Sequence, residues 1–408
     1  MAVTATDPRF LPDGQHAWFR LAITMLLGTI GSVGMWSIVV VLPAAQAEFG
    51  VSRGDASLSY TMTMVGFALG NVIIGRFVDR LGVVRPTTGA ILCLGSGYLL
   101  GAIAPSIWLL AAAQLVVGFG AAATFGPLMA DISRWFVRRR GIAVASAASG
   151  NYIAGAIWPW VLQSGMAFDG WRFTYAGVGI FCLLAMLPLV LLLRGRAPDF
   201  QATTHATNAV DRLTAALSPR LLQGLLIVAG VGCCVAMSMP QVHIVAYCAD
   251  LGYGVARGAE MLSLMLAAGI VSRLASGMIA DRIGGVKTLL LGSVLQAIAL
   301  LFYIPFDGLA SLYVVSLMFG LSQGGIVPSY AIIVREYLPP REAGERIGIV
   351  IMATIVGMAF GGWLSGFIYD LTGSYRAAFV NGIAWNVLNI AVMIFLLMRT
   401  RRPRMAAA

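Results

Sequence analysis

Charge is scarce in this chain, and that scarcity excludes more than any motif does. Asp, Glu, Lys and Arg make up 11% of 408 residues, about half the share in a soluble domain. Histidine occurs three times at well-separated positions, which leaves nothing to build a metal cluster. The five cysteines (Cys93, Cys182, Cys233, Cys234 and Cys248) lie in apolar stretches without Cys-x-x-C spacing. They read as small buried hydrophobes. No Gly-x-x-x-x-Gly-Lys-Ser/Thr loop is present to cradle the phosphates of ATP. Nothing in the chain builds an enzyme, and no cofactor or metal is implied. The net charge of +10 does not point to nucleic acid, because the cations sit in short loops and form no basic face.

What is abundant is apolar length. The chain is 59% hydrophobic, with a mean hydropathy of +0.86. About 20 apolar residues cross a bilayer as a helix. That ruler predicts spans near 18–42, 56–77, 87–105, 107–132, 141–163 and 172–194, then 221–246, 258–280, 288–305, 310–334, 346–368 and 377–398. The first run reads as a retained helix, not a cleaved signal. Of the 27 Lys and Arg residues, Arg53, Arg172, Arg257 and Arg376 fall on one side of these spans. Arg273 falls inside one, and the other 22 lie on the opposite side. The positive-inside rule makes that side, with both termini, cytoplasmic. The expected organisation is a tail at 1–17, six helices at 18–194, a cytoplasmic linker at 195–219, six helices at 220–398 and a basic tail at 399–408.

The two sets of six are related. Gly75-Arg-Phe-Val-Asp79-Arg80-Leu-Gly82-Val-Val-Arg85 returns 202 residues later as Gly277-Met-Ile-Ala-Asp281-Arg282-Ile-Gly284-Gly-Val-Lys287. Gly75 and Gly277 suit close helix approach. Asp79 and Asp281 end a helix where they can meet cations or a neighbouring helix N-terminus. Gly82 and Gly284 suit a tight turn. Together with Arg80, Arg85, Arg282 and Lys287, these residues make a pair of charged clasps suited to gating the inner face. Phe168-Asp169-Gly170-Trp171-Arg172 is echoed by Tyr369-Asp370 with Gly373 and Arg376, as equivalent outer loops. Parallel repeats of helices belong mainly to transporters.

The duplicated loop resembles the signature of the major facilitator superfamily, and the likeness covers all twelve spans. Trp135-Phe136-Val-Arg138-Arg139-Arg140-Gly-Ile142-Ala143-Val-Ala145-Ser-Ala147-Ala-Ser149-Gly150 is similar to the signature of monocarboxylate transporters. Asp13-Gly14-Gln-His-Ala17-Trp18 weakly resembles their motif before span one. The chain is also similar to bacterial oxalate–formate exchangers. The resemblance implies an all-α membrane protein of twelve transmembrane helices in two pseudo-symmetric six-helix bundles. It further implies a small organic anion as substrate, the bilayer of a cell inner (plasma) membrane as surroundings, and no obligate protein partner.

Arg273 is the informative singleton. It lies eight residues, about 12 Å, before the clasp at Asp281. A charge at that depth is functional by default, and the guanidinium fork suits a carboxylate. It also matches by position a family arginine implicated in carboxylate binding. Its structural alternative is an ion pair, with Asp131 as the best partner. Asn151, Tyr152, Gln241, His243 and Tyr330 are the candidates for lining the substrate site. Asn381, Asn386 and Asn389 read as peripheral. Animal monocarboxylate carriers have an acid where this chain has Gly269, and a span-one lysine that is missing here. The span-eleven lysine of the oxalate–formate exchangers is missing too. His243 is the remaining group able to carry a proton. An exporter of hydrophobic compounds and a non-transporting membrane sensor are the alternatives. The first usually carries membrane acids and a Gly-Pro-rich span five. The second should carry a large soluble domain.

Overall fold

In the computed structural model, residues 13–136, 139–195, 218–338 and 343–400 are described. Most of the expected linker at 195–219 (196–217), residues 1–12 and 401–408 of the two tails, and Arg138 lie outside the described residues. All regular structure among those described is helical. The first span is α1 (Gln15–Gly31) followed by α2 (Val33–Phe49), and α3 (Arg53–Leu81) and α4 (Val84–Ala102) follow. Span four is α5 (Ile107–Ala122) and α6 (Gly126–Trp135). The long α7 (Arg140–Leu191) carries spans five and six. The second set is α8 (Pro219–Asp250), α9 (Val255–Ile283), α10 (Gly285–Phe302), α11 (Leu309–Gln323) with α12 (Ile326–Tyr337), α13 (Ala343–Thr372) and α14 (Tyr375–Thr400).

Ten stretches are long and apolar enough to cross a membrane. The count reaches twelve because α7 is broken at Asp169 and Gly170, where Gly170 adopts φ 78°. The other addition is α4, whose first turn holds Arg85, Pro86 and two threonines. Many large apolar side chains are exposed, among them Trp108, Trp160, Phe168 and Leu184. In water such a surface would drive aggregation; in lipid it is the required one.

By contacts the described residues fall into two compact units. One comprises those of Met1–Ala202 with Val242–Ala267, the other those of Thr203–Gln241 with Ala268–Ala408. The end of α8 and the start of α9 therefore group with the first unit. There, Arg53 Nη2 meets Asp250 Oδ1 at 3.2 Å, and Leu266 packs at the Cα of Gly155.

Each unit is held together by glycine contacts and a few buried hydrogen bonds, as expected where lipid removes the hydrophobic drive between helices. In the first, α3 and α5 interlock. A Cβ on Gly66 would strike the carbonyl of Leu115, and one on Gly118 would strike that of Thr63. Thr63 donates to Gln114 Oε1 at 3.1 Å, and Gln114 Nε2 donates to Tyr175 Oη at 3.0 Å. Tyr175 meets Tyr98 edge-on, and the Tyr98 hydroxyl lies 2.7 Å from Ser37 Oγ. The second unit has a comparable core: Tyr303 stacks on Phe379 and shares a 2.9 Å hydrogen bond with Ser316.

The repeated loops have the same backbone. Gly82 and Gly284 adopt φ 77° and 82°, and their N–H groups close the preceding helices on Val78 and Ala280. Only glycine takes that conformation without strain. The outer loops match as well. Arg172 bonds Glu48 and the carbonyls of Ala102 and Ala104, and Arg376 reaches Asp307 after the corresponding span.

One expectation fails. A Cβ at Gly75 or Gly277 would meet nothing within 4 Å, so close approach does not explain these glycines. Close packing falls higher in the same helix, at Gly66 and Gly70. Gly66→Val should therefore lower the thermal unfolding temperature in detergent, by an overpacking cost of about 1–3 kcal/mol. Gly75→Ala should leave it unchanged. Equal effects of the two substitutions would contradict this account.

Candidate functional site

Two spans are interrupted at corresponding places. Span four unwinds at 123–125; in span ten the helix is interrupted at Gly324–Gly325, which keep right-handed helical dihedrals. A backbone group freed inside the membrane must find a partner within the protein. In span ten both groups of Gly324 find theirs on α9. Its N–H donates to Ser272 Oγ at 3.1 Å, and its carbonyl accepts from Arg273 Nε at 3.4 Å. Gly324 permits this, because a Cβ there would collide with Ser272 and the backbone of Gly269 and Arg273. In span four the N–H of Gly126 donates to Asn71 Oδ1 at 3.2 Å, while Asn71 Nδ2 donates to Phe67 O at 2.8 Å. Asn71 and Arg273 are 202 residues apart. The same repeat position thus tends a helix break in each unit, with a neutral amide in the first and a guanidinium in the second.

Asp131 is not the partner of Arg273. It accepts from Arg20 Nε at 2.8 Å, and Arg20 Nη1 also donates to the Leu193 carbonyl at 2.8 Å. The Arg20 guanidinium lies 4.7 Å from the centroid of the Trp135 ring. Arg20 is 1% exposed and Asp131 8%. This cation, counted above with the surface loops, belongs to a closed structural pair joining α1, α6 and the end of α7.

The other candidates divide between the units. In the second, Gln241 Nε2 donates to Gln323 Oε1 at 2.6 Å, beside the break that Arg273 holds. Tyr330 is fully buried; its hydroxyl donates to Asn389 Oδ1 at 3.1 Å and contacts Cys233 Sγ. Asn386 and Asn389 are not peripheral. Both are fully buried and donate to Ser293, through its carbonyl at 2.8 Å and its hydroxyl at 2.7 Å. Helix periodicity shows the apolar face of α14 but does not show that these amides complete a neighbour's bonding. In the first unit Asn151 Oδ1 accepts from Trp36 Nε1 at 3.1 Å, and Tyr152 and His243 are buried.

Of the clasp residues, Arg80, Asp281 and Arg282 are exposed at their helix ends, and the side chain of Asp79 lies outside the described residues. Arg85 and Arg194 line an open cavity of about 510 Å³ beside the Gly82 turn. In the second copy, the Glu336 carboxylate accepts from Gly285 N at the start of α10. Sequence reading missed Gln323 and Ser272 as neighbours of Arg273. A position-by-position comparison of the halves would have paired Arg273 with Asn71.

The family model described as Major Facilitator Superfamily matches residues 24–310 and 250–408. The chain is 27% identical over 409 residues to Monocarboxylate transporter 13 of Rattus norvegicus, covering 97% of this chain and 91% of the relative. It is 22% identical to the MFS-type transporter pynF of Aspergillus niger, over 98% and 94% of the two. Its fold matches a bacterial homolog to the human lysosomal transporter Spinster, solved inward-facing and unoccupied. The TM-score is 0.67 at 14% identity, over 95% and 96% of the chains.

The Arg20–Asp131 pair has a direct test. Arg20→Met leaves a buried carboxylate uncompensated, which costs about 3–5 kcal/mol. Thermal unfolding in detergent should show a clear loss, and Arg20→Met with Asp131→Leu should recover most of it. A double variant no better than the single one would rule the pairing out as the cause.

Proposed function

The chain belongs to the major facilitator superfamily, and on that footing we propose that it carries a small organic monocarboxylate across a cell's plasma (inner) membrane by alternating access. The two six-helix halves, 18–194 and 220–398, rock as bodies about the substrate, and both termini are cytoplasmic. Arg273 takes the carboxylate. The observation that carries this reading is a guanidinium in the middle of an apolar helix, hydrogen-bonded to the interruption of span ten. Discontinuous helices are where such carriers commonly place their substrate sites. Likeness to a protein named as a monocarboxylate transporter supports the choice of anion. Asn151, Tyr152, Gln241, His243 and Tyr330 complete the proposed site.

Arg273 is a cation, and a bound monoanion adds an opposite charge beside it. Crossing loaded is then electrostatically easier than crossing empty, and Gly269 supplies no carboxyl for proton coupling. Anion exchange follows as the transport mode. The clasps at Asp79 and Asp281, with Gly75, Arg80, Arg85, Gly277, Arg282 and Lys287, act on switching and not on substrate contact.

Uptake of labelled lactate, pyruvate, formate and oxalate into proteoliposomes tests the reading. Arg273→Lys keeps the charge but loses the fork. It should cut uptake at least about tenfold, since hydrogen bonds to charged groups contribute about 1.5–3 kcal/mol. Wild-type uptake by Arg273→Ala would refute the assignment. In the same vesicles, counterflow with internal substrate should outpace net uptake, and an imposed pH gradient should matter little. Acid-driven accumulation without internal anion, lost in His243→Gln, would establish histidine-coupled symport instead. For the clasps, Asp281→Asn should slow turnover while equilibrium binding stays within about twofold, a change of about 0.4 kcal/mol. Loss of binding in a folded variant would overturn the gating role.

A further inference from the structure

The halves are copies, so a position that differs between them marks something the fold alone does not require. The offset of 202 residues aligns Gly50 with Gly252, Arg53 with Val255, and span four (Ile107–Trp135) with span ten (Leu309–Tyr337). On that register Gln241 stands where the first half has Val39, and Gln323 where it has Ala121. Val39 and Ala121 are fully buried, as helix packing asks. Their counterparts are just as buried, at 2% and 0% exposure, yet they are primary amides. Packing therefore does not account for them.

Their hydrogen bonding is incomplete. The single bond from Gln241 Nε2 to Gln323 Oε1 at 2.6 Å leaves Gln241 Oε1 and Gln323 Nε2 without a hydrogen-bond partner. The result does not depend on how the amides are oriented. One bond between two primary amides always leaves one carbonyl oxygen and one NH₂ over. Buried polar atoms in that condition call for an explanation. The pair also adjoins, along the chain, the helix interruption that Arg273 tends. Gln323 immediately precedes Gly324, the residue whose carbonyl accepts from Arg273.

We propose that the Gln241–Gln323 pair is a second recognition point, reading a hydroxyl carried next to the substrate's carboxylate. A hydroxyl supplies what the pair lacks: its O–H donates to the spare carbonyl, and its oxygen accepts from the spare NH₂. A C–H in its place can do neither and leaves both amide atoms unmade. The inference rests on Arg273 holding the carboxylate, and the pair then selects among carboxylates.

Lactate and propionate, three-carbon acids that differ only in the 2-hydroxyl, are the probes. In proteoliposomes the wild type should carry lactate with a kcat/KM at least about tenfold above propionate, since a site built to bond a hydroxyl rejects the analogue lacking it. Gln241→Met with Gln323→Met restores an apolar pair like that of the first half. It should erase the preference, bringing the ratio of lactate to propionate kcat/KM to about one at whatever rate remains. Propionate transport itself reports that the variant folds. Equal rates for the two acids in the wild type overturn the inference while the carboxylate reading stands. So does a double variant that carries propionate and still prefers lactate, which would leave the spare amide atoms to bound water. Failure of the wild type to carry either acid removes the carboxylate reading and this inference with it.

Discussion

A backbone group exposed inside a bilayer has no water to bond, and the interior of this protein is arranged around that constraint. Most of the chain meets it with uninterrupted helices. Where spans four and ten are interrupted, side chains from neighbouring helices supply the bonds: Asn71 for Gly126, and Ser272 with Arg273 for Gly324. The breaks and the residues that tend them are therefore one feature. A charged residue deep in α9 is tolerable partly because part of its guanidinium serves the backbone of α11.

The repeat separates scaffold from site. What recurs in both halves has a packing or turn-forming reason: the positive-φ glycines after α3 and α9, the arginine-tied outer loops, and the aromatic contacts of Tyr98 with Tyr175 and Tyr303 with Phe379. Among the differences, three gather around one helix break. Asn71 becomes Arg273, Val39 becomes Gln241 and Ala121 becomes Gln323. These are replacements by residues that are harder to bury. On the proposed reading, a symmetric scaffold carrying an asymmetric polar cluster suits a carrier, in which the scaffold would move and the cluster would recognise.

Two deep arginines show why burial alone does not identify a site. Arg20 is the more buried, yet it is neutralised by Asp131, bonded to the Leu193 carbonyl and covered by Trp135. That arrangement ties α1 to α6 and to the segment after α7. Arg273 is only partly buried and bonds Gly324, the residue after Gln323, whose amide has bonding capacity to spare.

Hydropathy, charge bias and the duplicated loop were enough to recognise a twelve-helix membrane carrier of this superfamily, because lipid imposes its demands on each span separately and span length is written locally. The tight turns at Gly82 and Gly284 were legible for the same reason, since a local backbone requirement selects glycine. Partners were not legible. Asp131, the best partner for Arg273 under the structural alternative, pairs with Arg20; Asn386 and Asn389 looked peripheral and bond Ser293; Gln323 was one polar residue among many and pairs with Gln241. Gly75 and Gly277 were expected at close contacts that fall at Gly66 and Gly70 instead. Each of these depends on which helix faces which and at what height. Rotation and register between helices are set by packing over the whole unit, and a pattern read along one helix does not contain them.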